Sequence, residues 1–164
     1  MIRFYFAALV GLFVCVSALS AQGRSELLLE KYWKFTREDN NEFKKPAFDD
    51  SKWQSVTVPH DWAIYGPFSS LNDKQEGAIS QDGQKEAMEH AGRTGGLPFV
   101  GVGWYRTEFD VPQFQAGKRA TILFDGAMSH ANVYINGQKV GYWPYGYNSF
   151  HFDITKYLKP GEKN

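Results

Sequence analysis

The segment from residue 131 to residue 142 constrains the fold most strongly, because it has the pattern of a tight β-hairpin. Apolar Ala131, Val133 and Ile135 alternate with polar residues, and this period of two is typical of a strand with one buried face. Asn136-Gly137 follows at once. Asn-Gly suits a two-residue type I′ turn, in which both residues need a positive φ. The returning strand is predicted from Gln138 to Tyr142.

Short segments with similar alternation occur on both sides of this hairpin. Strands are predicted at 32–36, 55–58, 104–111, 120–124 and 150–154, with Tyr105, Thr107, Phe109 and Val111 on one face of the third. A single helical turn is predicted at 155–158, and Pro160-Gly161 indicates a chain reversal. Many short strands with regular turn signals predict an all-β fold, namely an antiparallel β-sandwich of the jelly-roll kind.

The stretch between residues 66 and 103 differs from the rest of the chain. It is rich in glycine and poor in β-branched residues, and it is far longer than an ordinary connection. Loops of this length in compact domains are usually functional or disordered. Within it, residues 84–90 are predicted to form one or two helical turns.

Size and composition limit the possible classes of protein. The 164 residues, of which 43% are apolar, suffice for one cored domain and not for two. The 18 basic and 18 acidic residues balance, and no long run of one sign appears, so no nucleic-acid partner is indicated. Aromatic residues make up 16% of the chain. Their rings can stack on sugars or simply fill a core.

The first 21 residues have the three-part pattern of a secretory signal peptide. A short positive start ending at Arg3 precedes an uncharged run from Phe4 to Leu19, and small residues follow at Ser20 and Ala21. We therefore expect export to the periplasm or the extracellular space, with no membrane association after cleavage. An uncleaved membrane anchor is the alternative. Cys15 is the only cysteine, so a mature chain beginning at residue 22 would have no disulfide.

The last residues, from Gly161 to Asn164, fall where a turn should lead into the next strand. A domain that stopped there would leave a sheet edge unpaired. We therefore expect residues 22–164 to form a domain that is incomplete at its C-terminus.

No side-chain cluster in the sequence by itself indicates catalysis or metal binding. Adjacent carboxylates at Asp49-Asp50, and the spaced set Asp82, Glu86 and Glu89, are interpreted as solvated loop charges. The four histidines are scattered and do not form a ligand pair, so neither a metal nor a cofactor is expected. Ser129-His130 lacks the Gly-x-Ser-x-Gly turn of serine hydrolases.

Five motifs, taken in order, resemble one known family. They are Val58-Pro59-His60-Asp61-Trp62, Gly103-Trp104-Tyr105-Arg106, Phe124-Asp125-Gly126, Val133-Tyr134-Ile135-Asn136-Gly137 and Phe152-Asp153-Ile154-Thr155 with the three residues that follow. This series is similar to the N-terminal sugar-binding domain of family 2 glycoside hydrolases of the β-galactosidase type. The loop segment from Gly92 to Pro98 looks like that of members exported by gut Bacteroidetes.

The resemblance implies a jelly-roll domain, like galactose-binding domains, followed by an immunoglobulin-like domain and a TIM barrel. Such enzymes hydrolyse the O-glycosidic bonds of terminal β-linked sugars with retention, using two glutamates on the barrel. Retention needs carboxyl groups about 5–5.5 Å apart. The resemblance therefore implies that this chain carries neither catalytic glutamate and is inactive alone.

The resemblance also suggests roles for individual residues. The loop after Trp62 is the one that lends a polar residue to the substrate pocket, and here Asn72, Asp73 and Arg93 are the expected sugar contacts. For Arg93, an ion pair across a domain interface is the alternative. The segment His60-Asp61-Trp62 either anchors and caps this loop or directs it to the active site.

A group of aromatic residues lies near the end of the hairpin. Trp143, Tyr145 and Tyr147 stand among glycines, where they could stack on a sugar or pack against the barrel. We favour interdomain packing, because Pro144 and the glycines suit a shaped, buried loop.

Three hypotheses follow for the chain. The first is a piece of an exported glycoside hydrolase acting on terminal β-galactosides or similar sugars, in which it shapes one wall of the pocket. The second is a stand-alone carbohydrate-binding module without hydrolase activity. The third is a remnant that cannot fold alone. Reading the DNA beyond codon 164 would help to distinguish them.

Overall fold

The computed structural model describes residues 24–72, 74–91, 99–113 and 117–164. Within these residues the fold is all-β: every strand pair is antiparallel, and the only helical segments are short 3₁₀ turns. The expected signal peptide, residues 1–21, lies outside the described residues. No helix in the described ranges has the length and apolar character needed to span a membrane.

The described part of the chain contains nine strands, numbered here in chain order. They are β1 (Trp33–Thr36), β2 (Gln54–Val56), β3 (Lys74–Gly77), β4 (Met88–Ala91), β5 (Trp104–Arg106), β6 (Thr121–Phe124), β7 (Ala131–Ile135), β8 (Gln138–Trp143) and β9 (Phe150–Asp153). The 3₁₀ turns are Asn41–Lys44, Ala63–Tyr65, Ser80–Asp82 and Thr155–Tyr157. The predicted strands at 32–36, 55–58, 120–124 and 150–154 and the predicted turn at 155–158 are confirmed to within two residues.

The strands form four antiparallel groups. β1 is the centre of a three-stranded sheet with the order β2-β1-β5, while β3-β4, β6-β9 and β7-β8 form pairs. The register places Phe35 opposite Tyr105 and Phe124 opposite Phe150, so aromatic rings lie on facing positions of two of these sheets. Such cross-strand apolar pairs are the unit of sheet stabilisation.

The buried core consists of residues from several of these groups. Its members are Phe35, Phe43, Val133, Ile135, Phe150 and Ile154. Phe150 stacks on Phe124 with ring centroids 4.9 Å apart, and Trp143 stacks on its ring at 5.5 Å. Large rings therefore do much of the packing, which agrees with the core interpretation of the high aromatic content.

The hairpin predicted from sequence is confirmed. Asn136 and Gly137 have φ values of 50° and 81°, as a type I′ turn requires, and β7 pairs with β8 on either side of them. Val133 and Ile135 point into the core, and a register shift lies between Val133 and Tyr134. The local sequence pattern thus specified the turn, the pairing and the buried face.

Two sequence predictions need correction. The helical turns predicted at 84–90 are wrong: Met88–Ala91 is strand β4, which pairs with β3 inside the long segment. The long strand predicted at 104–111 is shorter, because β5 ends at Arg106 and only an isolated bridge joins Asp110 to Lys163 further on. Pairing partners distant in sequence decided both outcomes, and local periodicity does not contain them.

Candidate functional site

The segment His60-Asp61-Trp62 joins the three-stranded sheet to the long loop, and His60 lies against that sheet. Its Nδ1 is 2.9 Å from the Tyr105 hydroxyl, and its ring meets Phe35 edge-on at 5.0 Å. Burial, and then the negative charge of Asp61, raise the pKa of Tyr105 to about 12. The shift moves ionisation of the phenol to higher pH, and at neutral pH the hydroxyl is a hydrogen-bond donor beside His60.

Asp61 and Trp62 fix the start of the loop. The Asp61 carboxylate accepts a hydrogen bond of 3.0 Å from the backbone N–H of Ala63, the first residue of the 3₁₀ turn. The Trp62 ring packs 5.8 Å from the Phe35 ring, and the anchoring role of His60-Asp61-Trp62 stays a prediction.

Arg37, which sequence reasoning missed, holds both ends of the loop together. Its Nη2 donates a hydrogen bond of 2.7 Å to the Trp62 carbonyl. Its guanidinium lies 5.4 Å from the Trp62 ring and 5.5 Å from the Phe99 ring, and these two rings pack 5.6 Å apart. The segment from 63 to 98 is thus closed at its base by one arginine and two aromatic rings.

The predicted sugar contacts lie on this loop. Asn72 is half-buried, and its side-chain amide donates a hydrogen bond of 3.2 Å to the Pro67 carbonyl while its backbone N–H bonds to the Ser69 carbonyl. Asp73 and Arg93 lie outside the described residues. The sugar-binding roles of all three remain predictions.

Large apolar side chains are exposed at the beginning of the same loop. Tyr65 and Leu71 are each 72% exposed, and Ile64 and Phe68 are exposed to a similar degree. Several apolar residues exposed close together in sequence are typical of an interaction surface, whereas single ones are ordinary.

The aromatic group after β8 divides into two parts. Tyr145 and Tyr147 are exposed, and their rings lie 5.6 Å apart. Trp143 does not belong with them, because it stacks on buried Phe150 and donates a hydrogen bond of 3.0 Å to Asn148. Only the tyrosine pair is thus available to a partner or a sugar.

Asp50 is not a solvated charge, contrary to the sequence interpretation. It accepts a hydrogen bond of 2.8 Å from Arg106 in a half-buried ion pair. The same guanidinium donates to the carbonyls of Phe43, Lys45 and Pro46. Through these hydrogen bonds, Arg106 holds residues 43–50 against β5. An arginine within an aromatic-rich strand was the only available sequence signal.

A cleft of about 510 Å³ lies between the end of β1 and the start of β2. Its lining includes the aromatic residues Phe48 and Trp53 and the polar residues Asp49, Lys52 and Gln54. The volume falls in the range of small-molecule sites. Among the described residues, no three His, Cys, Asp or Glu side chains converge as a metal site would require.

The described residues define an antiparallel all-β domain, and comparison with known proteins gives its family. Residues 28–164 match the model of the family described as glycosyl hydrolases family 2, sugar binding domain. The chain belongs to this family. The resemblance seen in the motifs is therefore confirmed.

Individual relatives agree with this assignment. The chain is 39% identical over 148 residues to the β-galactosidase BoGH2A of Bacteroides ovatus, covering 90% of this chain and 15% of that protein. A β-glycosidase of Bacteroides vulgatus matches in structure with a TM-score of 0.65 and 30% identity, covering 82% of this chain and 16% of that chain.

A third relative carries a different activity in its name. A Bacteroides uniformis β-glucuronidase matches in structure with a TM-score of 0.61 and 28% identity, covering 84% of this chain and 13% of that chain. The chain thus spans about 15% of the length of the proteins it matches.

Proposed function

We propose that this chain is the front domain of a longer, exported glycoside hydrolase that acts on terminal β-galactosides or similar sugars. The observation that carries the proposal is the loop closed at its base by Arg37, Trp62 and Phe99. This contact brings Trp62 and Phe99, the residues that flank the loop, next to each other. Family membership and the β-galactosidase relative support the substrate class.

Roles within the proposed enzyme follow from the loop. Asn72, Asp73 and Arg93 contact the sugar hydroxyls at one wall of the pocket, since amides, carboxylates and guanidinium groups are strong hydrogen-bonding partners. His60, Asp61 and Trp62 anchor the loop. The pair Tyr145 and Tyr147 packs against a downstream domain.

Catalysis in this proposal belongs to the downstream domains. An immunoglobulin-like domain and a TIM barrel follow, and two barrel glutamates perform hydrolysis with retention. The present domain, residues 22–164, forms most of a jelly roll beside them. By itself the 164-residue chain is inactive.

Two measurements test the proposal on the chain as it exists. Incubation with p-nitrophenyl β-D-galactopyranoside or β-D-glucuronide should release no p-nitrophenol. Saturation-transfer NMR with methyl β-D-galactopyranoside should detect weak contact that Arg93→Ala abolishes and Lys85→Ala, in the same segment, preserves. Hydrolysis by the chain alone, or contact unaffected by Arg93→Ala, would contradict it.

Export has its own test. Residues 1–21 act as the signal peptide, so expression of the whole chain in a bacterium should give a periplasmic product whose N-terminus is Ala21 or Gln22. A product that keeps Met1 and stays in the membrane fraction supports the uncleaved anchor.

A stand-alone carbohydrate-binding module is the second candidate, and the cleft beside Trp53 favours it. Aromatic rings surrounded by polar groups are a common way to bind sugars. On this hypothesis Trp53→Ala would abolish sugar binding, whereas Arg93→Ala would not. The same NMR experiment therefore distinguishes the two candidates.

A further inference from the structure

The tip of the β7-β8 hairpin contacts segments that are distant in sequence. The side-chain Nδ2 of Asn136 donates one hydrogen bond of 2.9 Å to the Tyr157 carbonyl and another of 2.9 Å to Asn164 Oδ1. A side-chain amide nitrogen carries two hydrogens, so both of its donors are used. On the other side of the tip, a Cβ at Gly137 would lie 3.0 Å from Pro46 Cδ. The turn is therefore packed on both sides.

The side chain of Asn164 can face Asn136 only with its oxygen. This Oδ1 also accepts a hydrogen bond of 2.7 Å from the Lys159 N–H, and the Asn164 Nδ2 donates bonds of 3.1 and 2.8 Å to the carbonyls of Lys159 and Glu162. Exchanging the oxygen and the nitrogen would place donor against donor and acceptor against acceptor. Residue 136 must therefore supply the donors, because the two groups that face it are both acceptors.

Asn136-Gly137 is also the one Asn-Gly pair in the sequence, and asparagine is among the thermolabile residues. In deamidation, the backbone nitrogen of the following residue attacks the side-chain carbonyl carbon, and glycine has no Cβ to obstruct that attack. A bond forms between Gly137 N and Asn136 Cγ, and the Cγ–Nδ2 bond breaks. Nδ2 leaves as ammonia with the proton that Gly137 N gives up. Water then opens the cyclic imide to aspartate or isoaspartate.

We propose that Asn136 is a deamidation site that the folded domain protects through Tyr157 and Asn164. Ring closure requires the Asn136 side chain to turn toward the Gly137 nitrogen, and the two hydrogen bonds hold it toward residues 157 and 164 instead. The reaction therefore proceeds from the state in which this contact has opened. The inference does not depend on the proposed function.

Conversion to aspartate releases the segment 157–164 from the hairpin. The carboxylate has no hydrogen to donate, and it places a negative charge against the two acceptor oxygens of Tyr157 and Asn164. Isoaspartate in addition inserts a methylene into the backbone of a two-residue turn. The segment then depends more on its backbone hydrogen bonds with Phe109, which are 3.1 and 2.9 Å long at Asn164.

Deamidation can be measured directly on the natural chain. The chain is incubated in mildly alkaline buffer with and without urea, and fragmentation of the tryptic peptide 120–139 in a mass spectrometer assigns each change of amide to acid. Asn132 is the reference in the same peptide, because the β-branched Val133 after it obstructs the attack. At Asn136 we expect reaction in urea and a rate about tenfold or more lower in the folded chain. Equal rates in the two conditions, or no reaction at Asn136 in urea, would overturn the inference.

Two variants separate the protecting hydrogen bond from general loosening of the segment 157–164. Asn164→Ala removes the acceptor and should raise the rate at Asn136 in the folded chain about tenfold. Gln113→Ala removes a hydrogen bond of 2.8 Å to the Pro160 carbonyl and should leave that rate unchanged. The same rate in the natural chain and in both variants would contradict protection by Asn164.

Asn136→Asp tests the consequence without waiting for the reaction. It keeps the size of the side chain and the tolerance of a positive φ, so only the donors and the charge change. Amide exchange at Asn164 should become about tenfold or more faster, while slow exchange at buried Phe35 reports that the domain is folded. Unchanged exchange at Asn164 would show that the segment is not released. If Asn164→Ala fails to fold, this variant and the urea comparison decide the question.

Discussion

The two hairpins of this domain differ in what holds them together. The β7-β8 hairpin turns in two residues, Asn136 and Gly137, and buries Val133 and Ile135. The β3-β4 hairpin is joined by the longer segment 78–87, and its strands are mostly exposed. In the first hairpin, the residues that form the turn and the residues that are buried are near neighbours in sequence, and together they specify the structure. The second also has a glycine with positive φ, Gly83, but its connection is longer and it buries little.

The β3-β4 pairing depends on weaker interactions. Glu76 lies directly opposite Glu89, an arrangement that is unfavourable in a sheet, and Lys74 offsets it by pairing with Glu89. The Gln84 side chain accepts a hydrogen bond from the Ile79 N–H at 3.0 Å and contacts the His90 ring. Polar contacts of this kind cannot be predicted from the sequence, because they depend on which strands pair in the structure.

The largest expected difference between the hairpins concerns their apolar side chains. Ile135→Ala should lower the free energy of unfolding by about 2–5 kcal/mol, because it leaves a cavity at a residue only 6% exposed. Met88→Ala, at a residue 56% exposed, should change it by less than about 0.5 kcal/mol. Urea unfolding followed by tryptophan fluorescence measures both. Similar losses would show that the β3-β4 hairpin belongs to the core.

The turn glycines sharpen the comparison. Gly137→Ala places a side chain at φ +81° and within 3.0 Å of Pro46, so we expect a loss of about 1–2 kcal/mol or more. Gly83→Ala has similar backbone strain at φ +73° but no neighbour within 4 Å. Its effect should be confined to local opening of β3-β4, seen by amide exchange. A shift of the global urea midpoint as large as that of Gly137→Ala would contradict this.

The charges of β3-β4 should matter less. Lys74→Ala leaves Glu76 and Glu89 facing each other and should weaken the hairpin by a few tenths of a kcal/mol, about the size of a surface ion pair. Added salt should reduce the loss by screening the repulsion. Gln75→Ala on the same strand is the control. The measurement is amide exchange at Glu89 with and without about 0.5 M sodium chloride. This concentration is roughly three times the physiological ionic strength.

The smallest effect at neutral pH concerns Tyr105, which connects β5 to the base of the loop. Its folded pKa of about 12 exceeds the ordinary value of 10.0. The folded state therefore holds this proton more tightly, and the stabilisation is fully present below pH 10 and is lost as the pH rises through 12. In a titration to high pH, tyrosinate absorbance should show a phase at the highest pH values that is missing in Tyr105→Phe. The absence of such a phase in the parent chain would contradict the buried environment.

The predictable part of the candidate site is local. The hydrogen bond from the Ala63 N–H to Asp61 joins residues within one turn, whereas Trp62 packs on Phe35, which is distant in sequence. Arg37 was missed because its partners, Trp62 and Phe99, are distant in sequence, and Asp50 was misread because its partner is Arg106. Long side chains such as arginine contact residues that are distant in sequence. Local sequence periodicity carries no information about those contacts.

By itself, the sequence determined the all-β class, the Asn136-Gly137 turn and the faces of β7 and β9, because alternation and turn chemistry act between near neighbours. Only the tertiary structure decided that Met88–Ala91 is a strand, that β5 ends at Arg106, and that Arg37 closes the loop. Those outcomes depend on which backbone and side-chain groups meet after the chain has folded, and burial of their partners sets the energies.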